Sequence, residues 1–214
     1  MLVRIPGVYP AQHDSWVLVE ALKREALGPA FRVLDLCAGS GVLSVCAAER
    51  GARVTAVDVS RRAVATTWIN TRPHRRSVRV VRGDLTEPVQ GERFDLVVSN
   101  PPYVPAENDR VPVSGAARSW DAGLDGRAVL DRICRQVPDV LEAGGVLLLV
   151  QSALSGIEKS QAMLEEQGLH VDGVSRVDVP FGPVLAARRD MLAQRGVIAI
   201  GQRSEELVVL RAVK

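Results

Sequence analysis

Cysteine is scarce in this chain, and long apolar runs are missing. Cys37, Cys46 and Cys134 are odd in number and show no paired metal spacing. Reduced thiols are therefore expected and no metal is assigned, with Cys37 read as a small buried hydrophobe. The start Met1-Leu2-Val3-Arg4-Ile5-Pro6 has no extended apolar core, and the run from Val146 to Val150 is far too short to span a bilayer. Neither a secretory signal nor a membrane span is expected, which points to a cytoplasmic protein. A strong charge of one sign is also lacking. The formal net charge is +2 and the pI about 8.6, short of the guideline of about 9 for a basic nucleic-acid-binding domain. Repeats, linkers and a second domain leave no trace.

What remains is enough for a full core. At 214 residues and 47% hydrophobic content, a single domain over 1–214 is expected. Strand-like runs near 31–36, 53–57, 77–82, 94–98, 145–151, 169–178 and 206–212 alternate with helical segments. This pattern reads as α/β: a Rossmann-like, seven-stranded, mostly parallel sheet with helices on both faces and the last strand antiparallel. Glu142-Ala143-Gly144-Gly145 reads as the stop of the helix before the fifth strand.

The most specific motif is Asn100-Pro101-Pro102-Tyr103, directly after the apolar run Phe94 to Val98. Pro102 lacks a backbone donor, and each proline fixes φ and pushes its predecessor toward extended geometry. The Asn100 side chain and nearby carbonyls become rigid acceptors able to hold an NH2 group, and Tyr103 can lie over a flat amide or base. The same residues also read as an ordinary turn after a strand.

A second motif precedes it. The strand Phe31 to Leu36 runs into Cys37-Ala38-Gly39-Ser40-Gly41 and then a helix from Val42 to about Arg50, a nucleotide-type cradle. Gly39 and Gly41 allow close backbone approach, and Ser44 is small where helix meets sheet. About twenty residues after the turn Asp58 ends a second strand, where a carboxylate can accept from both ribose hydroxyls. Gly83-Asp84-Leu85 puts another acid at a strand end, where an adenine amino group can be read.

Taken in this order, glycine turn, spaced acid, second acid and amide tetrapeptide resemble the class I S-adenosylmethionine-dependent methyltransferases over nearly the whole chain. The resemblance implies S-adenosyl-L-methionine as cofactor, with Asp35, Ala38, Gly39 and Gly41 in the first motif. It puts Asp58 and Val59 at the ribose, Asp84 and Leu85 at the adenine, and Asp14, Ser15 and Asn100 beside the donor. Cys37 stands where many members have another glycine. The tetrapeptide marks members that methylate amino groups on sp2 carbon: glutamine side chains, adenine or cytosine. Asn100, Pro101 and Tyr103 are then catalytic, and Tyr9, Asn100, Pro101, Pro102 and Tyr103 hold the substrate.

Gly7 to Trp16 resembles the amino-terminal segment of glutamine methyltransferases acting on peptide chain release factors. Asp14 and Ser15 match a pair lying next to cofactor and substrate there. By themselves they also read as an N-terminal cap for a helix running to about Leu27. His13 stands where the eukaryotic and archaeal branch carries another acid. Ala122-Gly123-Leu124-Asp125-Gly126 resembles the same group's turn into the following helix. Bacterial members carry an extra helical domain ahead of the first motif. With about thirty residues in that place, the resemblance shifts toward the compact HemK-like branch, some of whose members need a small activator subunit.

The favoured expectation is methylation of a release-factor glutamine. An adenine N6-methyltransferase on RNA or DNA is the alternative, although a target-recognition domain is missing. A dinucleotide-binding module without activity ranks last, since it leaves Asn100 to Tyr103 without a purpose. Arg61, Arg62, Arg72, Arg75, Arg76, Arg79 and Arg82 crowd the helix after Asp58 and its exit. They read either as a patch for RNA phosphates or the surface around a release factor, or as a solvated face with the arginine usage of a GC-rich genome. Two irregular stretches complete the picture. The loop 104–125 is expected to grip the substrate. The insert 180–204 holds a helix from Val184 to Gln194, either covering the sheet edge or offering Arg188, Arg189 and Arg195 to a partner.

Overall fold

Apolar runs of five or six residues, too short for buried helices, pair side by side in the computed structural model, which describes residues 2–74 and 77–214. The strands are β1 (Arg32–Leu36), β2 (Arg53–Asp58), β3 (Val78–Arg82), β4 (Phe94–Ser99), β5 (Leu141–Ser152), β6 (His170–Pro180) and β7 (Ser204–Val213). They form one seven-stranded sheet in the order β3-β2-β1-β4-β5-β7-β6. β1 to β5 pair in parallel, whereas β7 runs antiparallel to both β5 and β6. The architecture expected from the sequence is the one observed.

The helices are α1 (His13–Arg24), α2 (Val42–Glu49), α3 (Arg61–Thr71), α4 (Leu130–Gln136), α5 (Ile157–Glu166) and α6 (Pro183–Gln194). Strand alternation divides the core between the two faces. Leu34, Leu36, Phe94, Val97, Leu147 and Leu149 pack with Leu130, Ile133 and Leu164 of α4 and α5. Val33, Val54, Leu96, Val98 and Leu148 pack with Leu18, Leu22, Leu43 and Ala47 of α1 and α2. Burial on both faces is why these strands read as continuous Val and Leu runs. It also leaves their carboxyl ends as the place where loops can build a cleft.

Two boundaries differ from expectation. Helix α1 ends at Arg24, because Glu25 is already extended (ψ 147°) ahead of Gly28-Pro29. Glu142 to Gly145 do not stop a helix. They lie inside β5 as an irregularity, the β4 register stepping from Phe94↔Leu141 to Leu96↔Val146. Gly144 adopts φ 76°, and a Cβ on Gly145 would come within 2.9 Å of Glu142 O, so both glycines serve this bulge. None of the described helices is long and apolar enough to cross a membrane.

Of the arginine group, Arg75 and Arg76 lie outside the described residues. Arg62 reaches Pro6 O (3.3 Å), Arg79 pairs with Glu92 (2.5 Å), Arg82 donates to Val59 O (3.2 Å) and Arg72 sits over the Trp68 ring. These four are engaged by the protein itself, and their surface is less of an open anion patch than the sequence suggests.

Candidate active site

The carboxyl ends of β1, β2, β3 and β4 open into a cleft of about 530 Å³. Tyr9, Asp14, Ser15, Ala38, Gly39, Asp58, Val59, Asp84, Leu85 and Asn100 to Tyr103 all line it. Asp35 and Gly41 stand behind this lining. Asp35 is fully buried and accepts a hydrogen bond from Ser44 Oγ at 2.5 Å. Burial pushes its carboxyl up to about 7, against the pull of Ser44. Gly41 caps α2 at φ 78°, and a Cβ there would meet Thr67 at about 3.0 Å.

The turn after β1 is a strained cradle. Cys37 has φ 61°, in the region that favours glycine. Burial raises its thiol pKa, so it stays a neutral wall of the cleft. Asp58 braces the turn: Oδ2 accepts from Gly39 N–H (2.9 Å) and Oδ1 from Ser60 N–H (2.8 Å). Its pKa is raised by burial, with these backbone donors opposing the shift. Thr67 Oγ1 donates to Gly39 O (3.1 Å). On the far wall Leu85, the other non-glycine residue with positive φ (50°) among the described residues, presents Asp84, which pairs with Arg132 of α4 at 2.9 Å.

At the other end of the cleft the side chains centre on Asp14, which is 4% exposed. Its Oδ2 accepts from both Tyr9 Oη (3.0 Å) and Tyr103 Oη (3.1 Å), and its Oδ1 from Ser15 N–H (2.6 Å). The cap of α1 is Gln12, so Asp14 and Ser15 sit in the first turn and face the cleft instead of ending the helix. Ser15 Oγ in turn accepts from Asn100 Nδ2 (3.2 Å). This bond fixes the amide plane and leaves Asn100 Oδ1 as an acceptor. Burial, with Asp14 adding to it, raises both tyrosine pKa values well above the usual phenol value, so both hydroxyls remain donors at neutral pH.

Three residues here escaped the sequence reading. Ser155 Oγ donates to Tyr103 O (2.7 Å), holding the tetrapeptide from behind. Arg132 meets Asp84. Glu205 at the start of β7 is buried near the Asp14 cluster; burial raises its carboxyl to about 7, and Oε2 has no hydrogen bond among the described residues. Its alternation with buried Leu207 and Val209 was the available signal for an inward carboxyl.

A doubly wound sheet with a strained glycine turn, acids at the ends of β2 and β3, and an amide tetrapeptide at the end of β4 defines a class I S-adenosylmethionine-dependent methyltransferase. Residues 2–115 match the family described as methyltransferase small domain, and the chain belongs to that family, in its HemK-like type. Its cofactor is S-adenosyl-L-methionine, and the open backbone at Gly39 beside Asp58 fits an adenosyl group. Similar proteins include one from Methanocaldococcus jannaschii provisionally named a protein N5-glutamine methyltransferase. It is 33% identical over 177 residues, covering 82% of this chain and 88% of that protein. The release factor glutamine methyltransferase of Geobacter sulfurreducens is 34% identical over 76% of this chain, which spans 59% of that enzyme's length. In fold alone, precorrin 8W decarboxylase from Methanobacterium thermoautotrophicum superimposes with a TM-score of 0.65 at 17% identity, over 98% of this chain and 95% of that one.

Proposed function

We propose that this chain methylates the side-chain amide nitrogen of a glutamine in a protein, with a peptide chain release factor as acceptor, in the cytoplasm. The observation that carries the reading is the orientation of Asn100, whose Nδ2 is occupied by Ser15 while Oδ1 is left to accept. Both relatives described above bear glutamine methyltransferase names, which supports an amide over a base. The 214 residues act as one domain, with 104–125 as the acceptor loop.

Ala38, Gly39, Asp58, Val59, Asp84 and Leu85 would hold the cofactor, with Asp35 and Gly41 shaping the turn from behind. S-adenosyl-L-methionine supplies a methyl group on a sulfonium, a strong electrophile that needs only an aligned nucleophile. An amide nitrogen is a poor one, because its lone pair is delocalised. Asn100 Oδ1 and the Pro101 carbonyl accept from the acceptor NH2, raise electron density on nitrogen and aim it. As positive charge develops, the same fixed acceptors stabilise it, the counterpart of donors around an oxyanion. Pro102 and Tyr9 wall the acceptor side, and Tyr103 keeps its ring in place through its bond to Asp14. The methylated nitrogen is acidic enough to release its proton to water.

The test is transfer of labelled methyl groups from S-adenosyl-L-methionine to a release factor, to the same factor with its acceptor glutamine changed, and to mixed RNA and DNA. Each is run with and without a candidate activator subunit. Label on the unaltered factor alone is expected. Label on nucleic acid would replace this reading with the adenine one.

A further inference from the structure

The segment from Val104 to Leu124 closes on itself. Val104 N–H donates to Trp120 O (2.8 Å), Ala122 N–H to Val104 O (3.2 Å) and Ala106 N–H to Gly123 O (2.8 Å). The neck, 104–106 and 121–123, is buried, whereas 107–111 and 113–116 are exposed. A loop with paired ends and an open tip is an Ω-type arrangement whose neck sets where the tip can go.

Two arginines of the 180–204 insert meet that neck. Arg188 Nη1 donates to Pro105 O (3.2 Å) on the outgoing side and pairs with Asp121 (2.6 Å) on the returning side. Arg195 donates to Ala106 O (2.8 Å) on the outgoing side and to Leu124 O (2.8 Å) on the returning side. Each guanidinium therefore bridges the two stems. Of the two readings the sequence left open for this insert, these contacts favour the one in which Arg188 and Arg195 serve the protein's own fold. Arg189 pairs with its neighbour Asp190 instead. Asp121 Oδ1 is buried with no aligned hydrogen bond, so the charge of Arg188 is what offsets it. Helix α6 is itself seated by buried Leu185 and Leu192, which makes it a rigid mount.

The tip presents Val111 and Val113, 41% and 83% exposed, and both border the cleft that holds Asn100. Apolar side chains left in water beside the acceptor position suit the flanking residues of a polypeptide.

We infer that Arg188 and Arg195 are positioning residues that lock the loop neck, so that its apolar tip stands at a set place and grips the polypeptide around the methylated residue. The inference rests on the protein-acceptor reading above. Guanidinium suits the task at Arg195 because its rigid planar fork holds Ala106 O with one terminal nitrogen and Leu124 O with the other, a fixed geometry that a flexible ammonium lacks.

The experiment compares Arg195→Ala, Arg195→Lys and Arg188→Gln with wild type. Arg195 is exposed, so its variants are the ones that keep the fold safe. Steady-state methylation of a release factor gives KM and kcat, calorimetry gives the Kd for S-adenosylhomocysteine, and limited proteolysis gives the cleavage rate within 107–119. Losing one bridge is expected to raise the acceptor KM about tenfold and to speed tip cleavage by a similar factor, about that of a charged hydrogen bond. Saturating kcat and the Kd for S-adenosylhomocysteine should stay within about twofold, since neither arginine borders the cleft. Arg195→Lys should recover only part of the loss. Unchanged KM and cleavage in Arg195→Ala and Arg188→Gln would overturn the inference, as would an equal loss of S-adenosylhomocysteine affinity. If wild type leaves the release factor unmethylated, the acceptor reading fails, and cleavage alone decides whether the arginines hold the loop.

Discussion

Asn100 combines two jobs in one amide: its nitrogen is tied to Ser15 and its oxygen is left to accept. Asn100→Ala removes the acceptor without emptying the cradle around Gly39. It is expected to lower kcat about 10²- to 10³-fold, by analogy with loss of one oxyanion donor, while the Kd for S-adenosylhomocysteine stays near wild type. Calorimetry beside a rate measurement separates the two, and an unchanged kcat would remove Asn100 from the mechanism. The proline pair and the asparagine were legible in the chain, because their local chemistry is the same in any fold. The company they keep was not. Ser15 is 85 positions away from Asn100, and Tyr9, Asp14 and Tyr103 meet only because the first turn of α1 faces the tetrapeptide that follows β4.

At the level of elements, the turn into α4 supports the tetrapeptide. Gly126 has φ 73°, and a Cβ there would collide with Tyr103 O and come within 2.9 Å of Ser155 Oγ. The Ser155 hydroxyl already holds that carbonyl, so no slack is available. Gly126→Ala should cost about 1 to 3 kcal/mol from strained backbone alone, read from the urea midpoint. Its kcat should fall more than its stability implies, because Tyr103 is displaced. A variant with wild-type kcat would show that the turn is passive. The sequence marked this turn by resemblance, but the reason for the glycine lies in a contact between segments more than twenty residues apart. The bulge of β5 shows the opposite: Gly144-Gly145 looked like a helix stop because two glycines punctuate either kind of element.

Two buried groups behind the cleft lining govern the stability of the whole molecule. Arg127 is 3% exposed, pairs with Asp131 (2.8 Å) and donates to Gly156 O (2.7 Å), Ser160 Oγ (3.0 Å) and Ser155 O. Arg127→Met leaves the Ser155 and Gly156 carbonyls and Ser160 Oγ without their buried donor, with Asp131 keeping Lys159 (3.0 Å), and should lower unfolding free energy by about 3 to 5 kcal/mol, read from urea denaturation. Glu205 makes stability depend on pH. Burial lifts its carboxyl from 4.5 to about 7, so the folded state keeps a proton that the unfolded chain releases across that interval. Its contribution is full below the lower value and is lost as pH rises through the upper one. Glu205→Gln carries no such titration. Its stability relative to wild type should therefore rise between pH 5 and pH 8 by an amount on the order of 2 kcal/mol. Thermal melts across that range check it, and a constant difference would count against a buried neutral carboxyl.

The chain by itself determined the sheet, its mostly parallel run and the order of its chemical motifs. Periodicity, glycine turns and prolines act over a few residues, and those signals do not depend on what packs against them. Only the tertiary structure decided which groups share the cleft. It set Asp35 beneath the cradle, joined Asp14 to two tyrosines, brought Glu205 in from the last strand and laid Arg188 and Arg195 onto the loop neck. Hydrogen bonds and ion pairs between distant positions need geometry that local pattern does not encode, since burial and orientation emerge only once the sheet has closed and its helices are laid on both faces.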